Sequence, residues 1–177
     1  MEKSIIIAGF GGQGIILTGE IIARAGMKQN KKVSLVPSYG PEMRGGTANC
    51  TVIIKDGEIF SPVVTNPDIQ IMMNQPSMDR FEPRTAESGV ILYNSSLCSP
   101  VNNRTDVTYH KIPATEIATS LGVVKVANMA VLGALCAKTE LFPPEIITDE
   151  ILPEILTGKK ASLLDKNREA FQKGYDL

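Results

Sequence analysis

Residues 4–17 read SIIIAGFGGQGIIL, and this stretch decides the fold. The apolar run from Ser4 to Ala8 predicts a buried strand, and the glycine-rich turn Gly9 to Gly14 follows it directly. The pattern then predicts a helix from Gly12 to about Met27 and a second strand from Lys32 to Val36. Strand, turn, helix and strand within ~30 residues form a βαβ unit. Such a unit predicts a parallel sheet with a right-handed crossover.

Further apolar runs extend the predicted sheet. Thr47 to Lys55 predicts a strand, Asp56-Gly57 is a tight-turn signal, and Glu58 to Val64 is expected to return as the hairpin partner. The remaining predicted elements are strands at 68–73, 89–93 and 106–112 and helices at 76–82, 114–121, 126–138, 144–157 and 161–174. No repeat or linker divides the chain, so residues 1–177 are expected to form a single Rossmann-like, three-layer α/β domain. It should have a mostly parallel sheet, a β-hairpin insertion and a helical C-terminal portion.

The amino-acid composition argues against several classes of function. With 18 Lys+Arg against 19 Asp+Glu, the formal net charge is -1, which lacks the basic footprint of a nucleic-acid binder. Hydrophobic residues make up 43% of the chain, which is enough for a substantial core. Cys50, Cys98 and Cys136 are too few for a four-thiolate iron–sulfur site, and His110 is the one histidine available to zinc. We therefore expect no metal or redox centre on this chain.

Cysteine spacing and hydropathy predict the compartment. An odd number of widely spaced cysteines is poor material for a disulfide framework, so Cys50 and Cys136 are expected to be buried free thiols. The first apolar run is too short for a secretory signal. No segment approaches the ~20 apolar residues that a membrane-spanning helix needs. These features predict a soluble, cytoplasmic protein without a membrane partner.

The uncharged stretch Val126 to Ala137 allows two interpretations. It is either a core helix that packs across the sheet, or a helix with one face in the core and the other on a partner chain. The helix after the glycine turn is also apolar on nearly all sides. Two such helices in a domain of this size favour association with other chains.

The glycine turn is the first candidate ligand site, formed by Gly9, Gly11, Gly12, Gln13 and Gly14. Without Cβ atoms the backbone can approach a phosphate or carboxylate, and the helix N-terminus supplies free N–H groups. Alternatively, the glycines only let the helix pack closely against the strand, and Gln13 can fix a neighbouring loop by hydrogen bonds. The predicted second strand ends without the Asp or Glu that would hold a nicotinamide dinucleotide's ribose, which argues against a free-standing dehydrogenase.

The second candidate loop is more distinctive. It follows the second predicted strand, so it should lie at the same carboxyl edge of the sheet as the glycine turn. Glu42 and Arg44 carry opposite charges among residues that constrain the backbone, which is unusual for a plain solvated loop. The candidate residues are Ser38, Tyr39, Gly40, Glu42, Arg44, Gly45 and Gly46.

At this point the sequence resembles the gamma subunit of the 2-oxoacid:ferredoxin oxidoreductases, which act on pyruvate, 2-ketoisovalerate or 2-oxoglutarate. The resemblance covers essentially the whole chain. It is carried by Gly9 to Gly14, Pro37 to Gly46, Asn128 to Ala134, and the final helix from Asn167 to Tyr175. The form Ser-Tyr-Gly-Pro-Glu-x-Arg-Gly-Gly at 38–46 looks most like the 2-oxoglutarate and branched-chain enzymes.

The resemblance implies a multisubunit enzyme of anaerobic metabolism. It converts a 2-oxoacid, coenzyme A and oxidised ferredoxin into acyl-CoA, carbon dioxide and reduced ferredoxin. Thiamine diphosphate, Mg and iron–sulfur clusters are expected on the alpha, beta and possibly ferredoxin-like delta partner subunits, and the gamma chain packs on that assembly. The resemblance therefore implies no catalytic residue on this chain. The isolated chain is expected to be inactive, and the resemblance leaves its self-association open.

Two roles remain open for the charged pair. Arg44 can pair with a carboxylate or a coenzyme A phosphate, because a guanidinium offers bidentate donors, while Glu42 can instead hold Arg44 in place. The alternatives to the subunit interpretation are a stand-alone nucleotide-binding protein of Rossmann-like fold and an assembly module without an oxidoreductase partner.

Overall fold

The computed structural model describes residues 2–39 and 47–177. In chain order its elements are β1 (Glu2–Phe10), α1 (Ile15–Lys28), β2 (Lys32–Tyr39), β3 (Thr47–Lys55), β4 (Ile69–Met72), α2 (Gln75–Phe81), β5 (Val90–Asn94), β6 (Thr108–Ile112), α3 (Ala114–Ser120), α4 (Ala127–Thr139), α5 (Leu152–Ile155) and α6 (Leu164–Tyr175). The alternation of strands and helices confirms the predicted α/β class.

The six strands form one mixed sheet in the order β2-β3-β1-β4-β5-β6. β4, β5 and β6 continue from β1 in parallel, whereas β3 is antiparallel to both β1 and β2. β2 therefore runs in the direction of β1, as the predicted βαβ unit requires, but β3 lies between them. Five of the strands share one direction, so the sheet is mostly parallel.

Helices cover both faces of the sheet and complete three layers. Alternate residues of β1 go to opposite faces: Ile5 and Ile7 join the larger core with α1, α3, α4 and α6. Ile6 and Ala8 join a smaller core with Met78 of α2. Because both faces of β1 are buried, its run of isoleucines has no polar alternation.

The predicted hairpin partner at Glu58 to Val64 is wrong. These residues form no strand, and their Phe60 and Val63 side chains are 88% and 78% exposed. β3 pairs with β2 and β1 instead. The physical reason lies in its burial: Val52, Ile53 and Ile54 are all buried, which a strand achieves only between two neighbours with both faces covered.

Helix α4 is buried by its own chain. Every residue from Ala127 to Cys136 is buried, against α1, α3, α6 and the sheet. The interpretation as a core helix is confirmed, and the alternative of one face on a partner chain is wrong.

The predicted helix over 144–157 differs from the structure, in which Ile146–Ile151 form a π-helical segment before the short helix α5. Pro153, at the start of α5, has no N–H to continue the regular α-helical ladder.

Candidate functional site

The carboxyl edge of the sheet brings the two candidate loops together. Phe10, the last residue of β1, lies opposite Thr47 of β3, and Tyr39, the last residue of β2, lies opposite Ala48. The glycine turn and both flanks of the second loop are therefore at one edge. Ser38 is exposed there. The other residues of the second candidate loop, Gly40, Glu42, Arg44, Gly45 and Gly46, lie outside the described residues.

The inside of the glycine turn is filled by its own glutamine. Gln13 accepts a hydrogen bond from the Phe10 N–H through Oε1 at 2.7 Å and donates from Nε2 to the Met73 carbonyl at 3.0 Å. Gly12 and Gly14 have φ values of 97° and 74°, in the left-handed region that favours glycine. Gln13 thus ties the turn after β1 to the end of β4, as the sequence predicted for a neighbouring loop.

The last glycine of the turn is needed for helix packing. A Cβ atom on Gly14 would lie 2.5 Å from Nδ2 of Asn128 on α4. That nitrogen donates to the Thr18 hydroxyl at 3.2 Å, and the hydroxyl donates to the Gly14 carbonyl at 2.8 Å. Asn128 is buried, so this chain of hydrogen bonds satisfies the one strongly polar side chain of the core helix.

These contacts favour close packing over phosphate binding as the reason for the glycines. In a dinucleotide site the backbone approaches the pyrophosphate freely, whereas here Gln13 takes up the Phe10 N–H and a Cβ on Gly9 would lie 2.6 Å from the Gln13 oxygen. The turn has the glycine pattern of a nucleotide-binding turn, but the Phe10 N–H and the Gln13 amide form hydrogen bonds within the chain.

A small cleft opens at the point where the chain changes direction across the sheet, beside β1 and β4. Its volume is about 140 Å³, below the ~300 Å³ at which pockets for drug-sized ligands begin. Lys125, just before α4, is the one charged residue on its wall, and it has no ion pair among residues 2–39 and 47–177. The cleft is lined by Gly12, Gln13, Met73, Asn94, Leu97, Thr115, Val124, Lys125 and Ala127.

Two asparagines that the sequence analysis did not single out organise this edge. Asn74 follows β4 and accepts from the Ser77 N–H at 2.9 Å, which caps α2. Asn94 ends β5 and donates to the Thr115 hydroxyl at 2.8 Å. The signal for Asn74 is present in the sequence, because Asn is a strong N-cap residue and Pro76 marks the first turn of a helix.

The edge also exposes apolar side chains. Phe10 is 37% exposed, Leu97 48% and Val124 60%, and the last two line the cleft. Large apolar groups gathered at one edge are typical of a surface that contacts another protein.

The cysteines and the histidine do not suit metal chemistry. Burial raises the pKa of the Cys50, Cys98 and Cys136 thiols to about 12, so they stay protonated. Cys50 donates to the Ile15 carbonyl and Cys98 to the Asn94 carbonyl, at separate places in the fold. Burial, followed by the charge of Lys138, lowers the pKa of His110. The described donors therefore do not fit an iron–sulfur cluster, which needs thiolates close together.

Across the part of the chain that the structure describes, no helix is both long and apolar enough to cross a bilayer.

Comparison with known proteins gives relatives across the full chain. The 2-oxoglutarate synthase subunit KorC of Methanocaldococcus jannaschii is 39% identical over 180 residues, covering 100% of this chain and 94% of the relative. The ketoisovalerate oxidoreductase subunit VorA of Methanothermobacter thermautotrophicus is 36% identical over 173 residues. That match covers 98% of this chain but only 36% of VorA, so VorA is a longer chain of which the matching region is one part.

The fold agrees with a solved relative. The crystal structure of the keto/oxoacid ferredoxin oxidoreductase gamma subunit from Geobacter sulfurreducens is similar, with a TM-score of 0.79 and 30% sequence identity. The match covers 98% of this chain and 96% of that one. The model of the pyruvate ferredoxin/flavodoxin oxidoreductase family matches residues 4–177. With matches of this extent in sequence and in fold, the chain belongs to the pyruvate ferredoxin/flavodoxin oxidoreductase family.

Proposed function

We propose that this chain, as a single gamma-type domain of residues 1–177, is the non-catalytic gamma subunit of a 2-oxoacid:ferredoxin oxidoreductase. The observation that carries the proposal is the state of the carboxyl edge. Gln13 and Asn128 fill the glycine turn from both sides, while Leu97 and Val124 are exposed beside it. The glycine turn is filled by side chains of the same chain, so it is not open to a nucleotide. The exposed apolar groups beside it suit packing against partner chains.

The reaction of the assembly is the oxidative decarboxylation of a 2-oxoacid with coenzyme A, which yields acyl-CoA, carbon dioxide and reduced ferredoxin. We place thiamine diphosphate and Mg on the alpha and beta partner subunits, and the iron–sulfur clusters on these or on a ferredoxin-like delta subunit where one is present. The described thiols of this chain are buried apart from one another, which supports this assignment for the clusters. The similarity to KorC supports 2-oxoglutarate as the substrate.

Purification of the tagged chain from its native host tests this function. We expect alpha- and beta-type chains to purify with it, together with iron–sulfur absorbance and 2-oxoglutarate-dependent reduction of ferredoxin. A chain that purifies alone, and that binds NAD or FAD in calorimetric titration, would instead support the stand-alone nucleotide-binding alternative. A chain that purifies alone and binds neither would support the assembly module.

The second loop supplies the sharpest prediction for the assembly. We propose that residues 37–46 pack near the active-site entrance, where the Arg44 guanidinium pairs with a coenzyme A phosphate or a partner carboxylate. Arg44→Ala should then raise the apparent KM for coenzyme A about tenfold, the effect of one lost charge-assisted hydrogen bond, or release the partner chains. Steady-state kinetics and co-purification of the complex measure the two outcomes.

Two further variants serve as a control and as a test of the role of Glu42. Lys159→Ala removes an exposed lysine far from the loop in sequence and should leave both kinetics and assembly unchanged. Glu42→Ala should act in the same direction as Arg44→Ala but more weakly if Glu42 only positions the guanidinium. Unchanged kinetics together with intact co-purification in Arg44→Ala would contradict the proposed role.

A further inference from the structure

Strand β2 forms one edge of the sheet, and no described strand pairs with its outer side. It is eight residues long, it has no charged residue after Lys32, and Val36 is 40% exposed. Natural edge strands are usually short, charged or interrupted by proline, which prevents them from pairing with other chains. β2 has such residues only towards its ends, at Lys32 and Pro37, so residues 33–36 between them remain open to pairing. The opposite edge, β6, follows that rule, with five residues that include His110 and Lys111. β2 is therefore the edge that can accept another strand.

Pro37 indicates which backbone groups of β2 face outward. It lies opposite Cys50 of β3 and has no N–H. Proline is accommodated in a paired strand where its nitrogen points away from the neighbour. Because the direction of backbone groups alternates along a strand, the N–H and C=O groups of Val33 and Leu35 also face the open edge. They offer two sets of donors and acceptors for an antiparallel ladder.

A groove of about 440 Å³ runs alongside this edge, between α1 and β2. Met27, on its helical side, is 60% exposed although most of α1 is buried. The groove is lined by Glu20, Ala23, Arg24, Met27, Val33 and Leu35. It combines an apolar floor with two opposite charges.

The two charges make the groove complementary to itself. Glu20 and Arg24 lie one turn apart on α1, so a two-fold axis between them brings each glutamate to the arginine of a second copy. Glu20 has no ion pair within residues 2–39 and 47–177. Arg24 meets Glu154 at 3.8 Å, where both side chains are about half exposed and the pair contributes little.

Contacts between helix and strand show where such an axis lies. A Cβ on Gly19 would be 3.2 Å from Cδ1 of Leu35, and a Cβ on Gly26 would be 3.0 Å from Cγ2 of Val33. Gly19 is thus level with Leu35, and Gly26 with Val33. Ser34 is the middle of residues 33–35 of β2. It therefore lies level with the middle of residues 19–26 of α1.

The positions on α1 and on β2 are both compatible with the same two-fold axis. The midpoint of Gly19 and Gly26 on α1 falls between Ile22 and Ala23, within one residue of the midpoint of Glu20 and Arg24. A two-fold axis through Ser34 therefore aligns the charge pairs and at the same time places the outward-facing backbone groups of one β2 opposite those of the other.

We infer that the face formed by α1 and β2 binds a second copy of this chain. The two β2 strands pair antiparallel about Ser34 and join both sheets into one, while the α1 helices lie side by side with two Glu20–Arg24 ion pairs. This face runs along the side of the sheet, so the inference does not depend on the role proposed for the carboxyl edge.

Sedimentation velocity of the purified full chain, from low to high micromolar concentration, tests the dimer. The parent chain should pass from monomer to dimer as the concentration rises. Glu20→Arg and Arg24→Glu should each raise the dimer dissociation constant about tenfold or more, because symmetry replaces two attractive contacts by two repulsive ones. An equimolar mixture of the two variants should recover dimers, since both arginines of one variant then face the two glutamates of the other.

Matched charge reversals elsewhere control for net charge. Lys111→Glu on β6 and Glu87→Arg, both at exposed positions, should dimerise like the parent. The inference is overturned by a parent chain that stays monomeric, by single variants that dimerise as the parent does, or by a mixture that stays monomeric. Circular dichroism of each variant confirms that the fold persists.

Discussion

Replacement of Gly133 or Gly174 by alanine is expected to lower the free energy of unfolding by about 3 kcal/mol or more. A Cβ atom on Gly133 of α4 would overlap the backbone carbonyl of Phe171 and lie 2.8 Å from the Tyr175 nitrogen. A Cβ on Gly174 of α6 would overlap the carbonyl of Ala130. The two helices contact each other backbone to backbone, so neither clash can be relieved by the rotation of a side chain.

The sign of this effect is diagnostic. Within a helix, alanine is normally more favourable than glycine by about 1 kcal/mol, so an alanine that destabilises must be separating the helices. Urea denaturation followed by circular dichroism measures the change. Gly57→Ala is the control, because a Cβ there meets no atom within 4 Å and the free energy should shift by less than about 0.5 kcal/mol. Stability that equals the parent's in both helix variants would show that α4 and α6 are not in backbone contact.

The same contact shows what the sequence could and could not predict. Helices α4 and α6 are evident from local patterns, and the resemblance to the gamma subunits includes Gly133 and Gly174. Their mutual contact joins residues about forty positions apart, and no local pattern records which glycine meets which carbonyl. Helix existence is a local property, whereas the packing partner is not.

Strand order follows the same distinction. The pattern of β3 correctly predicts a strand, and the uninterrupted apolar run at its end, Val52 to Ile54, is the signal for a position with both faces covered. The Asp56-Gly57 turn signal nevertheless favoured a local hairpin with residues 58–64. Pairing of β3 with β1 and β2 buries more apolar surface than a hairpin with the exposed Phe60 segment, so tertiary burial outweighs the turn signal.

At the candidate site, the sequence predicted the capacity of a side chain but not its partner. The prediction that Gln13 fixes a neighbouring loop is confirmed by its hydrogen bond to the Met73 carbonyl. Which loop it would contact was not predictable, because Met73 is 60 residues away in the chain. The role of Asn128 was not predictable, because its partner Thr18 is 110 residues away in the chain. A polar residue in an otherwise uncharged buried helix is still a usable signal, since a buried amide must find a hydrogen-bond partner.

Glu82 is a second position at which a single change should have a large effect. It is fully buried after α2, and its carboxylate accepts hydrogen bonds from the Val101 N–H at 2.8 Å and the Tyr109 hydroxyl at 2.5 Å. The backbone and side-chain nitrogens of Asn102 each donate at 3.1 Å. One carboxylate thus ties α2 to the segment before β6 and to β6 itself.

Glu82→Leu should lower the free energy of unfolding by about 1–3 kcal/mol, because the half-buried Tyr109 hydroxyl loses its acceptor, while water can reach the more exposed N–H groups of Val101 and Asn102. Glu82→Gln should cost less, since the amide retains one acceptor oxygen. Glu87→Gln, at an exposed position, should be close to neutral. Urea denaturation at neutral pH ranks the three variants, and equal stability of Glu82→Leu and Glu87→Gln would contradict the structural role of Glu82.

The pH dependence separates the charge of Glu82 from its shape. Burial alone would raise the pKa of this carboxyl, but hydrogen bonds from Tyr109, Val101 and Asn102 outweigh burial and hold the pKa below its ordinary value of 4.5. Because the folded-state pKa is the lower one, the stabilisation is complete above the ordinary pKa, which the carboxyl has in the unfolded state. It is lost as the pH falls through the folded-state pKa.

Glu82→Gln cannot titrate at this position, so the difference in unfolding free energy between it and the parent should be constant from about pH 7 to pH 5 and shrink below about pH 4. The parent loses the contribution of its carboxylate there, while the variant has none to lose. Denaturation curves of both proteins across this range test the expectation. A difference that stays constant into the acid range would mean that the shape of the side chain, and not its charge, holds α2 to β6.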